Sequence, residues 1–154
     1  MNKKTKTILL TVGIVLLGFL REYLFVNINW IYLTLTNGRM NGARREFHFL
    51  IDWAPSEILL LKWLLTLLFS ISFFLVTSLI IKVFFQNKQY NKIVAFVYIA
   101  LIAISGALYL AGKFLGIYLE IYGAIRTLMG MVQSFMPLMI LVVLFKFLPQ
   151  VKRD

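Results

Sequence analysis

Apolar residues in this chain gather in four long blocks rather than in amphipathic stripes. The first covers 7–26, behind a short leader that carries Lys3, Lys4 and Lys6. The second covers 58–82 and holds no charge from Trp63 to Ile81. The third, 93–112, is uncharged and follows the polar turn 86–92. The fourth, 127–146, opens after Arg126, closes at Lys146 and contains Pro137. A helix needs roughly 20 apolar residues to cross about 30 Å of hydrocarbon, and each block supplies that. The pattern predicts an all-α integral membrane bundle of four transmembrane helices, one domain over 1–154, with one longer outer loop over 27–55.

Local signals refine the boundaries. The stretch 7–20 resembles the core of a signal peptide, but Arg21 and Glu22 follow it directly with no small-residue cleavage site, so it reads as a retained span. Ser56 is placed to cap the second helix, and Glu57 suits its first turn. Proline inside the fourth block is tolerated in a membrane helix, where neighbouring groups satisfy the freed carbonyl. The segment 113–125 stays rich in Phe, Leu, Ile and Tyr, so either flanking helix can extend into it.

Composition agrees with a membrane address. Hydrophobic residues make up 61% and charged residues 14%, too few charges to cover a water-soluble surface. The net charge of +10 suggests nucleic acid in a soluble protein; here the cations sit at the ends of apolar blocks, where they set topology and meet anionic lipid. With four spans, one side holds Lys3, Lys4, Lys6, Lys82, Lys88, Lys92, Lys146, Lys152 and Arg153, and the other holds Arg21, Arg39, Arg44, Arg45, Lys62, Lys113 and Arg126. Nine against seven places both termini in the cytoplasm. Five of the six acids, Glu22, Glu46, Asp52, Glu57 and Glu120, fall on the far side.

Helix partners are harder to read. Ala100, Ala103, Ala107 and Ala111 share one face, and Gly123, Thr127, Gly130 and Ser134 have similar spacing. Small residues admit close backbone approach, so these stripes are expected to face one another. Gly112 and Gly116 read as a turn. Thr66, Ser70 and Thr77 lie on one side of the second block, and hydroxyls there are expected to bond back to their own helix.

Chemistry is sparse. With no cysteine there is no disulfide, thiolate metal site or catalytic thiol, and His48 is the only histidine. His48 and Asp52 stand four apart, a spacing more often structural than catalytic. No catalytic residue, metal site or cofactor is assigned, and no acid sits at the middle of a span, which counts against a proton-coupled pump. Two groups stand out as candidate sites. Arg21, Glu22, Glu120 and Arg126 are expected to share the outer boundary as an ion-paired network. Arg39, Arg44 and Arg45, in a basic turn between aromatic flanks, are expected to meet a phosphate, a carboxylate or lipid headgroups.

The stretch Arg21-Glu22-Tyr23-Leu24-Phe25 closing a first span, a polar segment after it, and Ile125-Arg126-Thr127-Leu128 followed by Gln133, Phe135, Met136 and Pro137 resemble the exosortase F system-associated membrane proteins of bacteria. Where that pattern has Asp-Pro after the first span, this chain has Asn27-Ile28-Asn29. The resemblance implies a small multi-pass accessory protein of the bacterial inner membrane and supplies no active site. Three functions stay open: an accessory or assembly protein that binds a membrane partner, a lipid-binding or lipid-modifying protein using the outer arginines, and a small oligomeric channel or exporter. The expected partners are the lipid bilayer and another membrane protein, with no nucleic acid; oligomeric state stays open.

Overall fold

The computed structural model describes residues 2–38 and 42–147, with the backbone alone at 3, 118 and 119. Among the described residues there are helices and no strands. Five are α-helices: α1 (Lys3–Asn37), α2 (Pro55–Phe85), α3 (Lys88–Leu115), α4 (Tyr118–Val132) and α5 (Met136–Phe147). A 3-10 helix, Arg45–Asp52, lies between α1 and α2. The most apolar windows of α1, α2 and α3 have mean hydropathies of 1.9, 2.5 and 2.4, so these three are long and apolar enough to cross a membrane. Helices α4 and α5 meet that standard only as a pair, bent by 65°.

Helix α1 runs past its expected end. It has 35 residues, about 52 Å at 1.5 Å each, and continues through Asn27 and Asn29 to Gly38. Asparagine usually competes with helical hydrogen bonds. Here the Asn27 amide donates to the Tyr23 carbonyl at 2.7 Å, and its oxygen accepts from the Arg44 backbone N–H at 2.8 Å. The side chain thus holds the helix and the returning chain together. Gly38 ends α1 at φ +61°, a left-handed conformation that glycine adopts freely. The segment 27–55 therefore begins with eleven residues of α1, and its later part is the connection.

That connection is folded against the bundle. Phe47 and Leu50 of the 3-10 helix are buried with Ile28, Ile31 and Ile58. Tyr23 meets Phe47 edge to face at 5.5 Å. Helix α2 starts at Pro55, and the cap position falls on Ala54 rather than on Ser56; the Glu57 carboxylate accepts from the Ala54 N–H at 2.8 Å. Proline's fixed φ and missing N–H suit a first helical position.

A second core joins α1, α2, α3, α5 and the end of α4. It contains Ile14, Phe69, Phe73, Ile81, Val94, Tyr98, Val132 and Leu141. At one end Tyr90 stacks on Phe145 at 4.2 Å, and Phe85 meets both rings edge on. The tight α2–α3 turn is held by Asn87, whose side chain accepts from the Gln89 N–H at 2.9 Å.

The alanine stripe packs elsewhere than expected. Tyr90, Val94, Tyr98, Ser105 and Gly112 are the buried positions of α3, while Ala103, Ala107 and Ala111 are exposed. At about 100° per residue, the alanine stripe points roughly 180° from Tyr98. On α4, Gly123 and Thr127 are also exposed, and a Cβ added at Gly123 or Gly130 would meet nothing within 4 Å. The packing face of α3 is the one that carries Tyr90, Val94 and Tyr98, not the alanine stripe. Gly116 ends α3 at φ +74°, so the paired glycines do mark a turn.

The fourth apolar block is broken. Pro137 stands in the first turn of α5. Proline cannot donate to the carbonyl four residues earlier, at Gln133, and its ring would clash there. The chain stops at Val132, crosses Gln133, Ser134 and Phe135, and restarts at Met136, whose N–H donates to the Ser134 hydroxyl at 3.2 Å.

Candidate functional site

The break carries a polar side chain into the bundle. Gln133 is 3% exposed. Its amide nitrogen donates to the Thr66 carbonyl at 3.1 Å and to the Ser70 hydroxyl at 3.3 Å. Its amide oxygen accepts from Arg21 Nε at 3.3 Å. One glutamine therefore ties the α4–α5 break to α1 and α2. Proline ends α4 at this level, and the turn that follows aims Gln133 inward.

Arg21 is the charged member. Its guanidinium also pairs with Glu22 at 3.1 Å and lies 5.2 Å from the centre of the Phe25 ring. The Arg21 side chain is 24% exposed and that of Glu22 is 65% exposed. The pair thus joins a buried amide to a carboxylate on the outer surface of α1. Around Glu22, the same helix face exposes Val15, Phe19 and Val26.

Three helices give the cluster one height above the lysines at their other ends. From Lys6 to Arg21 the rise is about 22 Å and from Lys82 to Ser70 about 18 Å; α5 rises about 15 Å from Lys146 back to Met136, and Gln133 lies three residues beyond that end. Lys62, which opens the uncharged run of α2, lies about 30 Å from Lys82.

The expected outer network divides. Arg21 and Glu22 pair, and among the described residues theirs is the only ion pair within 4 Å. Arg126 therefore pairs with neither Glu22 nor Glu120. It stands exposed on α4. Lys62 is half-buried, with its ammonium 4.9 Å from the centre of the Tyr32 ring.

The basic turn divides too. Arg39 lies outside the described residues. Arg44 is fixed by its backbone bond to Asn27 and by its guanidinium over the Tyr23 ring at 5.2 Å. Arg45 opens the 3-10 helix and is exposed. Nearby, Gly42 lies so close to Trp30 that an added Cβ would stand 2.9 Å from the ring. His48 and Asp52 do not pair.

The hydroxyls behave as expected: Thr66 donates to the Lys62 carbonyl at 2.8 Å and Ser70 to the Thr66 carbonyl at 2.7 Å. Thr77 departs from this, sharing a buried hydrogen bond with the Tyr98 hydroxyl at 3.0 Å. Two apolar surface hollows, one between Leu10 and Val76 and one beside Trp53 and Leu60, lie apart from the polar cluster. Among the described residues, no group of three or more His, Asp or Glu is placed to hold a metal ion.

Sequence reasoning passed over Gln133 as a site residue, and Asn27 and Tyr98 with it. The available signal was a glutamine inside an apolar block, four residues before a proline. The cluster offers donors and acceptors fixed by packing, with no base beside the Ser70 hydroxyl; its chemistry is that of holding a charge. No family model, curated protein or solved structure matches this chain.

Proposed function

We propose that this chain is a four-span accessory or assembly protein that binds another membrane protein along the Glu22 face of α1. The observation that carries this reading is the 65% exposure of Glu22 at the height of the buried cluster. Taking Lys62 and Lys82 as the two edges of the hydrocarbon layer, the cluster lies about 6–12 Å inside the outer edge. A charge inside a span is costly, up to about 2.5–3.5 kcal/mol at its centre on insertion scales, and such groups face a bundle interior or a partner. Arg21 meets part of that cost from one side. A polar group on a neighbouring helix meets the rest.

The outer segment extends the same surface. Asn27, Gly42 and Phe47 fix it to α1, while Phe49 and Trp53 stay exposed and meet edge to face at 6.4 Å. Rigid aromatic residues are enriched at interface cores. The distribution of lysine and arginine supports cytoplasmic termini, and the resemblance to exosortase F system-associated proteins supports a bacterial inner-membrane address and an accessory role.

Photo-crosslinking from Phe19 in cells tests the proposal. A discrete protein adduct that disappears in Glu22→Leu, with the variant as stable as the parent, is the expected result. Adducts to lipid alone in the parent chain would overturn it.

A further inference from the structure

The first turns of α2 carry a hollow with a polar end and an apolar end. Trp53, Glu57, Leu60, Leu61 and Leu64 line a space of about 470 Å³, within the size range of small-molecule sites. At about 100° per residue, its four α2 residues fall within roughly 100° of one another. Trp53 joins them from the end of the connection before α2.

The two members with polar character are held in place. Trp53 meets Phe49 edge to face at 6.4 Å. One oxygen of Glu57 accepts from the Ala54 N–H at 2.8 Å, which fixes the carboxylate beside the hollow. A carboxylate offers about four acceptor positions, so that bond does not exhaust it. Among the described residues, Glu57 forms no ion pair within 4 Å. Lys62, five residues along α2, points roughly 140° away from Glu57, and its ammonium lies 4.9 Å from the centre of the Tyr32 ring. A carboxylate beside an exposed indole, with no cation answering it, is a place for a positive charge.

Depth says what kind of cation fits. With Lys62 at the outer edge of the hydrocarbon, Glu57 stands about 8 Å above that edge and Leu64 about 3 Å below it. The headgroup layer on each side of a bilayer is about 5–8 Å thick. The acid and the indole therefore lie among headgroups, and the leucines lead down into the acyl chains. Leu68 and Ile71, exposed further along the same face, continue the apolar surface.

We propose that this hollow binds phosphatidylethanolamine, with its ammonium donating to Glu57 and resting against the Trp53 ring. A primary ammonium supplies both the N–H groups that a carboxylate accepts and the charge that an aromatic face attracts. Choline has no N–H to donate, and an anionic headgroup would bring a second negative charge to Glu57. The site lies on α2 and does not depend on a partner at Glu22.

Native mass spectrometry of the full chain in mild detergent tests the site, with phosphatidylethanolamine, phosphatidylcholine and phosphatidylglycerol added in turn. The expected result is a retained phosphatidylethanolamine and no comparable adduct of the other two. Glu57→Gln keeps an acceptor for the Ala54 N–H but loses the charge, and is expected to weaken the adduct about tenfold in a chain with the parent's melting temperature. Trp53→Leu is expected to weaken it about threefold, which keeps the test open should the first variant misfold. Glu46→Gln, at an exposed acid of the outer segment that does not line the hollow, is expected to change nothing. Equal retention of the three lipids, no retained phosphatidylethanolamine, or full retention by the folded variants would overturn the site. A dimer free of lipid would make a second copy the occupant instead. Displacement of phosphatidylethanolamine by millimolar ethanolamine would keep the ammonium site and overturn the lipid as its occupant.

Discussion

Replacing Gln133 with leucine removes the single side chain that joins three elements at the break. The substitution keeps similar bulk but deletes two donated hydrogen bonds, to the Thr66 carbonyl and the Ser70 hydroxyl, and one accepted from Arg21. Interhelical hydrogen bonds in membrane proteins average about 0.6 kcal/mol. A bond to a charged partner is worth about 1.5 kcal/mol at the lower end of its range, and the 3.3 Å separation from Arg21 argues for that end. The added apolar surface recovers little, since lipid is as apolar as leucine. The expected loss is therefore about 2.5–3 kcal/mol. Reversible unfolding in mixed micelles with increasing denaturing detergent measures it. A double-mutant cycle with Ser70→Ala should give a coupling near 0.6 kcal/mol, and the cost of Gln133→Leu should shrink when Arg21 is already Met, at roughly the worth of the charged bond. A loss below about 0.5 kcal/mol, with full additivity in both cycles, would refute the reasoning.

Other consequences follow from single contacts. Thr77→Val and Tyr98→Phe each delete the same buried hydrogen bond, so each should cost about 1 kcal/mol in that unfolding assay, and the double variant should cost little more than either. Gly42→Ala drives a methyl group against the Trp30 ring and should cost about 1–3 kcal/mol, most of it recovered when Trp30→Leu opens the space; an unaffected Gly42→Ala would mean that the outer segment is not seated as described. In intact cells, a cysteine introduced at Phe49 should react with an impermeant maleimide from outside and one at Asn87 should not, and the reverse pattern would invert the topology.

The parts legible in the sequence are those set by runs of one residue type. The charge-free stretch from Trp63 to Ile81 lies within α2, and Gly116 ends α3 as a turn glycine does. What escaped depends on contacts between distant residues. Asn27 reads as a helix-ending polar residue until the backbone of Arg44, seventeen positions later, supplies its second partner. The break at Gln133 follows from Pro137, but the tolerance of proline in membrane helices pointed to an unbroken span. Its neighbours here did not restore the ladder; they gave the glutamine a buried place instead. Counting alanines failed on α3 for a related reason. A stripe of small residues shows where a helix can approach closely, whereas Tyr98, which bonds Thr77 and meets Phe74 edge to face at 5.4 Å, shows where it does. For Arg126, nearness in sequence to Glu120 suggested a pair, but the side chain stands exposed with no acid within 4 Å among the described residues.

The proposed function needs the charged cluster to lie beneath the outer surface of the membrane, and that depth can be measured directly. Spin labels at Phe19→Cys and Leu68→Cys, both exposed and near the level of Arg21 and Ser70, can be read in proteoliposomes by power saturation with oxygen and with a water-soluble nickel chelate. Both labels are predicted to be open to oxygen, closed to nickel, and about 10 Å below the outer edge of the hydrocarbon. Strong nickel access at both positions would place Arg21, Glu22 and Gln133 at the headgroups and remove the reason for a partner at Glu22.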